Sequence, residues 1–379
     1  MRRLVLASAV VLVVGAFLLG YGVSRGDRAT APIGVPTVVA EVRDALQTSY
    51  YRSVPPRVLR LGSVDAMLSA LGDPYTEYLP HADYELLQKE VAGTYVGIGV
   101  SVVSGRSGLV VVSTRPGPAR AAGIRVGDTI VQIGSSPAAR LGLTQALSEI
   151  GGPRGTRVRL ELLRDGQVHW VSVPREQMRT EDVQGRLVTF AGRHWADVKV
   201  SAFTKGAAAR LRRTLGQLQS RGAAGVVLDL RDDPGGLLNE AVSAASLFLG
   251  RGVVVTLRGA HRPPEVYRAR GDVVTRLPLV VLVDRQTASS AEVVAAALHD
   301  HHRALVVGER TYGKALVQSI DPLDDGGALE LTVAHYYTAN GTDISGVGVT
   351  PDVRALDRPR TPADEALAAG LQLLARPTS

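Results

Sequence analysis

Two residues in the stretch 287–318 are of the types, and in the settings, that could make one a nucleophile and the other its base: Ser289 and Lys314. An apolar, β-like run, Leu279-Val-Val-Leu-Val283, leads through a short turn into Ser289-Ser-Ala-Glu292 and the helical pattern of residues 293–298. Ser289 is therefore expected at a strand-to-helix turn. A hydroxyl at a helix N-terminus faces the first-turn amides and the positive end of the macrodipole, where a developing oxyanion would be stabilised. Ser289-x-x-Glu292 also reads as a capping box, in which the serine only satisfies orphan N–H groups, and on this stretch alone the cap is the simpler reading. Lys314 shifts the balance. The chain has four lysines (Lys89, Lys199, Lys205 and Lys314) among 43 basic residues, so arginine is its default cation. Arginine cannot give up its proton in a protein, whereas a buried lysine can. Free lysine has a pKa of about 10.4 and is neutral in roughly one molecule in 2,500 at pH 7; bringing it to ~7–8 takes about 4 kcal/mol of desolvation and local field. The apolar setting Tyr312-Gly-Lys-Ala-Leu-Val317 could supply it.

Gln318 follows Lys314 by four residues, an even offset that puts both on one face of a strand. Its carbonyl could hold the amine in place, giving a dyad with an orienting group. Upstream, a buried strand pattern at residues 225–230 ends in Arg231-Asp-Asp-Pro-Gly-Gly236. Asp232 and Asp233 raise the question of a paired-carboxylate or metal site. Neighbours on a tight Pro-Gly-Gly turn point apart, however, so the turn is the better reading. The backbone N–H of Gly235 or Gly236, at a strand end before a helix, could share an oxyanion with the N–H of Ser290.

Two rival motifs overlap the central stretch. Gly308-Glu-Arg-Thr-Tyr-Gly-Lys314 matches a phosphate-binding loop up to its last position, which would make the chain a nucleotide hydrolase. That last position is Ala315, without a hydroxyl for magnesium, and residues 316–320 read as a strand where the loop needs a helix. His299-Asp-His-His302 could be a zinc patch or supply a conventional triad, but its place just past an alanine-rich helix reads as a polar helix end.

With these residues in view, the stretch resembles the carboxyl-terminal processing peptidases, serine proteases with a Ser-Lys dyad. In that family the lysine follows the serine by 25 residues and the glutamine follows the lysine by four, the spacings of Ser289, Lys314 and Gln318. The spacing selects Ser289 over Thr287 and Ser290. The resemblance also assigns the oxyanion role to the Asp-Pro-Gly-Gly loop, without settling which glycine donates. This chain departs from the family in having Asp284-Arg285-Gln286 in place of a glycine-rich turn, and Ser290 in place of alanine. The second departure keeps Ser290 open as an alternative nucleophile.

The elements that must position these residues follow in chain order. Met1-Arg-Arg3 precedes residues 4–23, an uncharged run of about 20 residues that would span ~30 Å as a helix. A cleaved signal peptide is the alternative, but the run is long and no clear cleavage site follows, so an uncleaved anchor is expected. The short N-terminal tail favours an exported catalytic part. The absence of cysteine excludes disulfides and thiolate chemistry. A net charge of +7 raises nucleic acid as a partner, but the arginines are scattered and aromatics are only 4% of residues, so none is expected. Residues 26–88 read as a linker and a helical segment ending in Gly72-Asp-Pro-Tyr-Thr-Glu-Tyr-Leu79, which resembles the family's N-terminal segment and leaves room for a homodimer through its helices. Residues 89–176 turn to short strands with glycine turns. Gly97-Ile98-Gly99-Val100 and Pro116-Gly-Pro-Ala-Arg-Ala-Ala-Gly-Ile-Arg-Val-Gly-Asp-Thr-Ile130 resemble a PDZ domain, in which such a loop receives a terminal carboxylate and the following strand pairs with an extended peptide. Gly151 stands where relatives usually carry arginine. Residues 177–379 alternate strands and helices, implying an α/β core and C-terminal tail.

The expected architecture is therefore an α/β protease core with an inserted β-rich PDZ domain, an N-terminal helical segment and one N-terminal transmembrane helix. The expected activity is a serine endopeptidase, held in a bacterial-type cell membrane by a single span with its catalytic domain extracytoplasmic. It would act on protein or peptide substrates with free C-termini and need no metal or organic cofactor. The alternative is a peptide-binding scaffold whose peptidase core has decayed.

Overall fold

A computed structural model describes residues 37–356 and 364–376. The expected membrane anchor lies outside these residues; among the described ones no helix is long and apolar enough to cross a membrane.

The described residues divide into two compact units, one of them Ala92–Thr180 and the other built from the segments on either side of it. The larger unit is organised around a six-stranded sheet. Strands Arg193–Val200, Val226–Asp229, Leu279–Val283, Leu305–Gly308 and Val353–Arg354 run parallel in that spatial order, and Val183–Phe190 pairs antiparallel at the edge. All five residues of Leu279–Val283 are buried, because a parallel sheet is covered on both faces. Period-two alternation divides them. Val280 and Leu282 join Trp195, Val227 and Val307 in a cluster closed by the helix Glu365–Ala375. Gly370 lets that helix approach closely, since a Cβ there would lie 3.2 Å from Val280 and 3.3 Å from Leu282. Val281 and Val283 face the other way, into the main core with Val226 and Leu228 and the helices Ala207–Ser220, Leu238–Ser246 and Ser290–Asp300.

A second, antiparallel sheet is built on Ala328–Tyr337, which pairs with Leu316–Pro322 on one side and with Glu77–Leu79 and Val253–Gly259 on the other. The helix Thr37–Thr48 turns Val39, Val42 and Leu46, an i, i+3, i+7 stripe, into the main core. The apolar face of this helix is therefore covered by its own chain.

In the unit Ala92–Thr180, the strands Val100–Ser104, Leu109–Thr114, Thr129–Ile133, Arg157–Arg164 and Gln167–Pro174 lie side by side in sequence order, with the helix Leu143–Ile150. Ile98, Val111, Ile130, Leu160 and Val173 are among its core residues. Val100–Ser104 is an edge strand of this sheet. Arg175 closes the C-terminal end of the helix, donating to the carbonyls of Glu149 at 2.7 Å and Ile150 at 3.0 Å, directly beside the anomalous Gly151.

Candidate active site

The loops that follow three adjacent parallel strands, ending at Asp229, Val283 and Gly308, carry the glycine loop, Ser289 and Lys314 respectively. The carboxyl ends of parallel strands are where sites form in open α/β sheets.

Ser289 is the residue before the helix Ser290–Asp300 and has φ 64° and ψ −125°, a setting that side chains beyond Cα normally avoid. It is held there by its neighbours. The Asp284 carboxylate accepts from the N–H groups of Gln286 at 3.0 Å, Thr287 at 2.9 Å and Asp232 at 3.1 Å, while the Thr287 hydroxyl donates to the Leu230 carbonyl at 2.8 Å. The aspartate thus builds, through its side chain, the tight turn that glycines would otherwise allow. Both Ser289 and Ser290 are fully buried, with hydroxyls that make no hydrogen bond. The strained backbone belongs to Ser289 alone of the two.

The capping reading is met only in part. The Glu292 carboxylate accepts the Ser289 N–H at 2.7 Å, but the serine hydroxyl makes no cap bond in return. Glu292 has a larger role, which the sequence reading missed. It is fully buried and also accepts the N–H of Gly313 at 2.7 Å, the N–H of Lys314 at 2.9 Å and the Thr311 hydroxyl. The Ser289 and Lys314 amides share one oxygen, Oε2. The Tyr336 hydroxyl faces the carbonyls of both Ser289, at 3.0 Å, and Lys314, and lies 3.4 Å from the same Glu292 Oε2. The available signal was that Glu292 is the lone charged residue in an otherwise Ala/Val/Leu helical face.

Lys314 is 5% exposed. Burial pushes its ammonium below the ordinary lysine value, and Glu330, Asp73 and Glu77 pull it back up. Its Nζ lies 4.8 Å from the centre of the Tyr75 ring. The segment is fixed from behind by the turn at residues 344–349. The Gly346 N–H donates to the Gly313 carbonyl at 2.9 Å, and a Cβ on Gly313 would come within 2.9 Å of the Val347 and Gly348 nitrogens.

Gln318 departs from expectation. Lys314 precedes the strand Leu316–Pro322, and a register shift falls between Val317 and Gln318, so the even-offset argument does not apply. The carboxamide is buried, its Nε2 donating weakly to the Thr332 hydroxyl at 3.4 Å and its Oε1 without a hydrogen bond. Thr332 leads into a second buried network. Its hydroxyl accepts from Thr76 at 3.2 Å, its N–H donates to the Thr76 oxygen at 3.1 Å, and Asp73 accepts from Thr76 at 2.7 Å and Tyr50 at 3.1 Å. The Asp-Pro-Tyr-Thr turn of the N-terminal segment is thereby part of the site's wall.

The two glycines are distinguished by their bonds. The Gly235 N–H already donates to the Asp233 Oδ1 at 2.8 Å, which argues against it as an oxyanion donor. The bridge to Phe203 uses the Gly235 carbonyl and the Leu237 N–H, leaving out the Gly236 N–H. A Cβ on Gly235 would lie 2.9 Å from the Ser289 Cβ and 3.0 Å from the Ser290 nitrogen, so the glycine loop abuts the serine turn. Asp232 is at the surface, paired with Lys199 at 3.0 Å, whereas Asp233 is wholly buried and burial pushes its carboxyl well above the usual range. The two do not form a carboxylate pair.

The rival motifs fall elsewhere. No helix follows Gly308 before the strand Leu316–Pro322, so residues 308–314 are not a phosphate loop. The histidines lie at the far end of the helix from Ser289; His299 contacts Asp352 at 3.2 Å and His301 the Val253 carbonyl at 2.7 Å. Among the described residues no cluster of His, Cys, Asp and Glu suits a metal ion. In the smaller unit, Gly97 ends a short strand, Ile98 is buried, Gly99 has φ 83° and Val100 begins the edge strand.

The larger unit thus has a parallel sheet covered on both faces with a strained serine turn beyond its strand ends, and the smaller is a β-rich module with an edge strand. The model of Peptidase family S41 matches residues 194–355, and that of the PDZ domain matches residues 96–174. The chain is 31% identical over 315 residues to the carboxy-terminal processing protease CtpA of Bacillus subtilis (strain 168), covering 82% of this chain and 67% of that one. It is 36% identical over 295 residues to the carboxyl-terminal-processing protease of a Picosynechococcus species, covering 76% and 71%. Among solved structures it is similar to a photosystem II D1 C-terminal processing protease, with a TM-score of 0.57, 28% identity, and coverage of 89% of this chain and 97% of that one. The chain belongs to the carboxyl-terminal processing proteases, serine peptidases of family S41 with a PDZ domain.

Proposed function

We propose that this chain is a membrane-anchored serine endopeptidase that takes the free C-terminus of exported proteins on its PDZ domain and cleaves them through a Ser289–Lys314 dyad. Residues 4–23 would be the single span, with the catalytic part extracytoplasmic. The observation that carries the dyad is the shared Glu292 oxygen, which fixes the backbones of Ser289 and Lys314, 25 residues apart in the chain, against one another. In the reaction, the Ser289 Oγ attacks the scissile carbonyl carbon while the neutral Lys314 amine takes its proton. The N–H groups of Gly236 and Ser290 receive the oxyanion. The Lys314 ammonium then protonates the leaving amine, and water, activated by the regenerated amine, hydrolyses the acyl-enzyme. Gln318 would orient the amine once its carboxamide turns toward it.

For substrate capture, the edge strand Val100–Ser104 supports pairing with an extended peptide, and the backbone of Gly97, Ile98, Gly99 and Val100 would receive the terminal carboxylate. Charge-assisted hydrogen bonds of this kind are worth about 1.5–3 kcal/mol. A model substrate with an amidated C-terminus is therefore expected to show kcat/KM lower by roughly 10–100-fold than the free acid at low ionic strength. Equal cleavage of the two would sink C-terminal recognition.

A further inference from the structure

We propose that Asp233 positions the oxyanion loop as a neutral carboxylic acid, and that its ionisation sets an alkaline limit on cleavage. The inference rests on the reading of Ser289 as the nucleophile and of the Gly236 and Ser290 N–H groups as the oxyanion donors. Asp233 is 0% exposed. Its Oδ1 accepts the Gly235 N–H at 2.8 Å, and its Oδ2 is buried without a hydrogen bond. Its backbone carbonyl accepts the N–H of Ala288, the residue before Ser289, at 2.9 Å. One residue therefore braces the glycine loop from within and ties it to the serine turn. The side-chain bond also separates the two glycines: with the Gly235 N–H taken by Asp233, the Gly236 N–H is the one left for an oxyanion.

A carboxylate would need more than this. Ionised, it would hold a full charge away from water with a single N–H donor, which burial makes costly unless a cation pairs with it. The charged groups that act on Asp233 are Asp182, just before the strand Val183–Phe190, Lys199 of Arg193–Val200, and Asp284, just after Leu279–Val283. The serine turn itself, Ala288-Ser-Ser290, has none. Each of the three is committed elsewhere. Asp182 is held by Arg210 and Thr204, Lys199 pairs with Asp232 at 3.0 Å, and Asp284 accepts the amides of Asp232, Gln286 and Thr287. Protonated, Asp233 needs no cation, and its Oδ1 still accepts from Gly235 as a carbonyl. The charge matters to the reaction because the loop it braces abuts Ser289 and the Ser290 nitrogen. A negative charge beside that loop opposes the oxyanion forming there.

The test follows urea midpoints and the pH profile of kcat in the full chain, for the parent, Asp233→Asn, Asp233→Ser and Ser289→Ala. In the unfolded chain an aspartate ionises near pH ~3.9, while the folded parent keeps this proton. The parent's stability from this group is therefore fully present below that pH and is lost as pH rises toward the folded value. Asp233→Asn has no such loss, so its urea midpoint is expected to gain on the parent's steadily above pH ~4. In kcat the parent is expected to fall on the alkaline side by roughly tenfold for each pH unit past the ionisation. Asp233→Asn should lack that limb while keeping the acid limb of Lys314 and a kcat within about threefold of the parent's optimum. Asp233→Ser keeps an acceptor without an ionisable group, and carries the test if the asparagine variant does not fold. A midpoint difference that stays constant with pH overturns the neutral acid. A difference that grows while the alkaline limb persists in Asp233→Asn, or a parent without that limb, overturns its bearing on the reaction. Cleavage surviving in Ser289→Ala overturns the dyad and with it that bearing, and the midpoints, read without substrate, tell the two failures apart.

Discussion

Lys314→Met is expected to abolish peptide cleavage, by about 10⁴-fold or more in kcat, while the protein still folds at neutral pH. Both halves of this prediction turn on the burial of the amine. Folding buries the lysine to 5% exposure and lowers its pKa through desolvation, so the fold disfavours the charged form. Removing the amine relieves that cost but also takes the cation away from the buried carboxyls that act on it, Glu330 and Asp73, so the two effects on stability oppose one another. Removing it also leaves the Ser289 hydroxyl with nothing to take its proton. Lys314→Arg is expected to be equally inactive, because the guanidinium cannot deprotonate. The parent's activity should fall as pH drops through the Lys314 pKa, where the amine is lost to protonation. Ser289→Ala should match Lys314→Met, and the double variant should be no worse than either, because residues acting as one unit are not additive. Chemical denaturation read beside single-turnover assays checks the pair of claims. A large loss of stability together with activity would make Lys314 a structural residue instead.

Glu292→Ala should have the largest effect on stability, on the order of 3–5 kcal/mol, and should lose activity even under conditions where it remains folded. The carboxylate accepts the N–H groups of Ser289, Gly313 and Lys314 and the Thr311 hydroxyl, with the Tyr336 hydroxyl at 3.4 Å, and it is itself fully buried. Truncation leaves those donors unsatisfied, each at a cost of about 1–3 kcal/mol, though the costs do not simply add. It also releases the serine turn from the lysine segment, and a misplacement of about 1 Å is worth roughly 10²-fold in rate. Glu292→Gln should fall between, keeping an acceptor but turning an NH₂ group toward donors. Urea midpoints that match the parent's in Glu292→Ala would show that Glu292 does not hold the site together.

Much of the core was legible because its strands obey simple burial rules. Leu279–Val283 reads as a fully apolar run, and Ala328–Tyr337 and the helix at residues 207–220 declare themselves by length and period. The spacing of Ser289 and Lys314 could likewise be read directly. What could not be read were side chains whose meaning depends on distant partners. Glu292 satisfies a local capping pattern, and nothing nearby indicates that its carboxylate also receives the amides of residues 313 and 314. The Gln318 carbonyl was assigned from a regular strand, whereas the register shift before it is a property of the paired strand. Asp284 was read as a departure from a glycine-rich turn, and its side chain makes the turn in place of the glycines. The choice between Gly235 and Gly236 depended on where one amide points, which a glycine pair cannot reveal in sequence.

The most direct test of the account is to label the full chain with a serine-reactive phosphonate ester and locate the adduct by peptide sequencing in a mass spectrometer. The account predicts a single adduct on Ser289, absent from Ser289→Ala and strongly reduced in Lys314→Met, with the acid limb of the labelling rate following Lys314. An adduct on Ser290, or a Ser289 adduct formed at the parent's rate without Lys314, would contradict it.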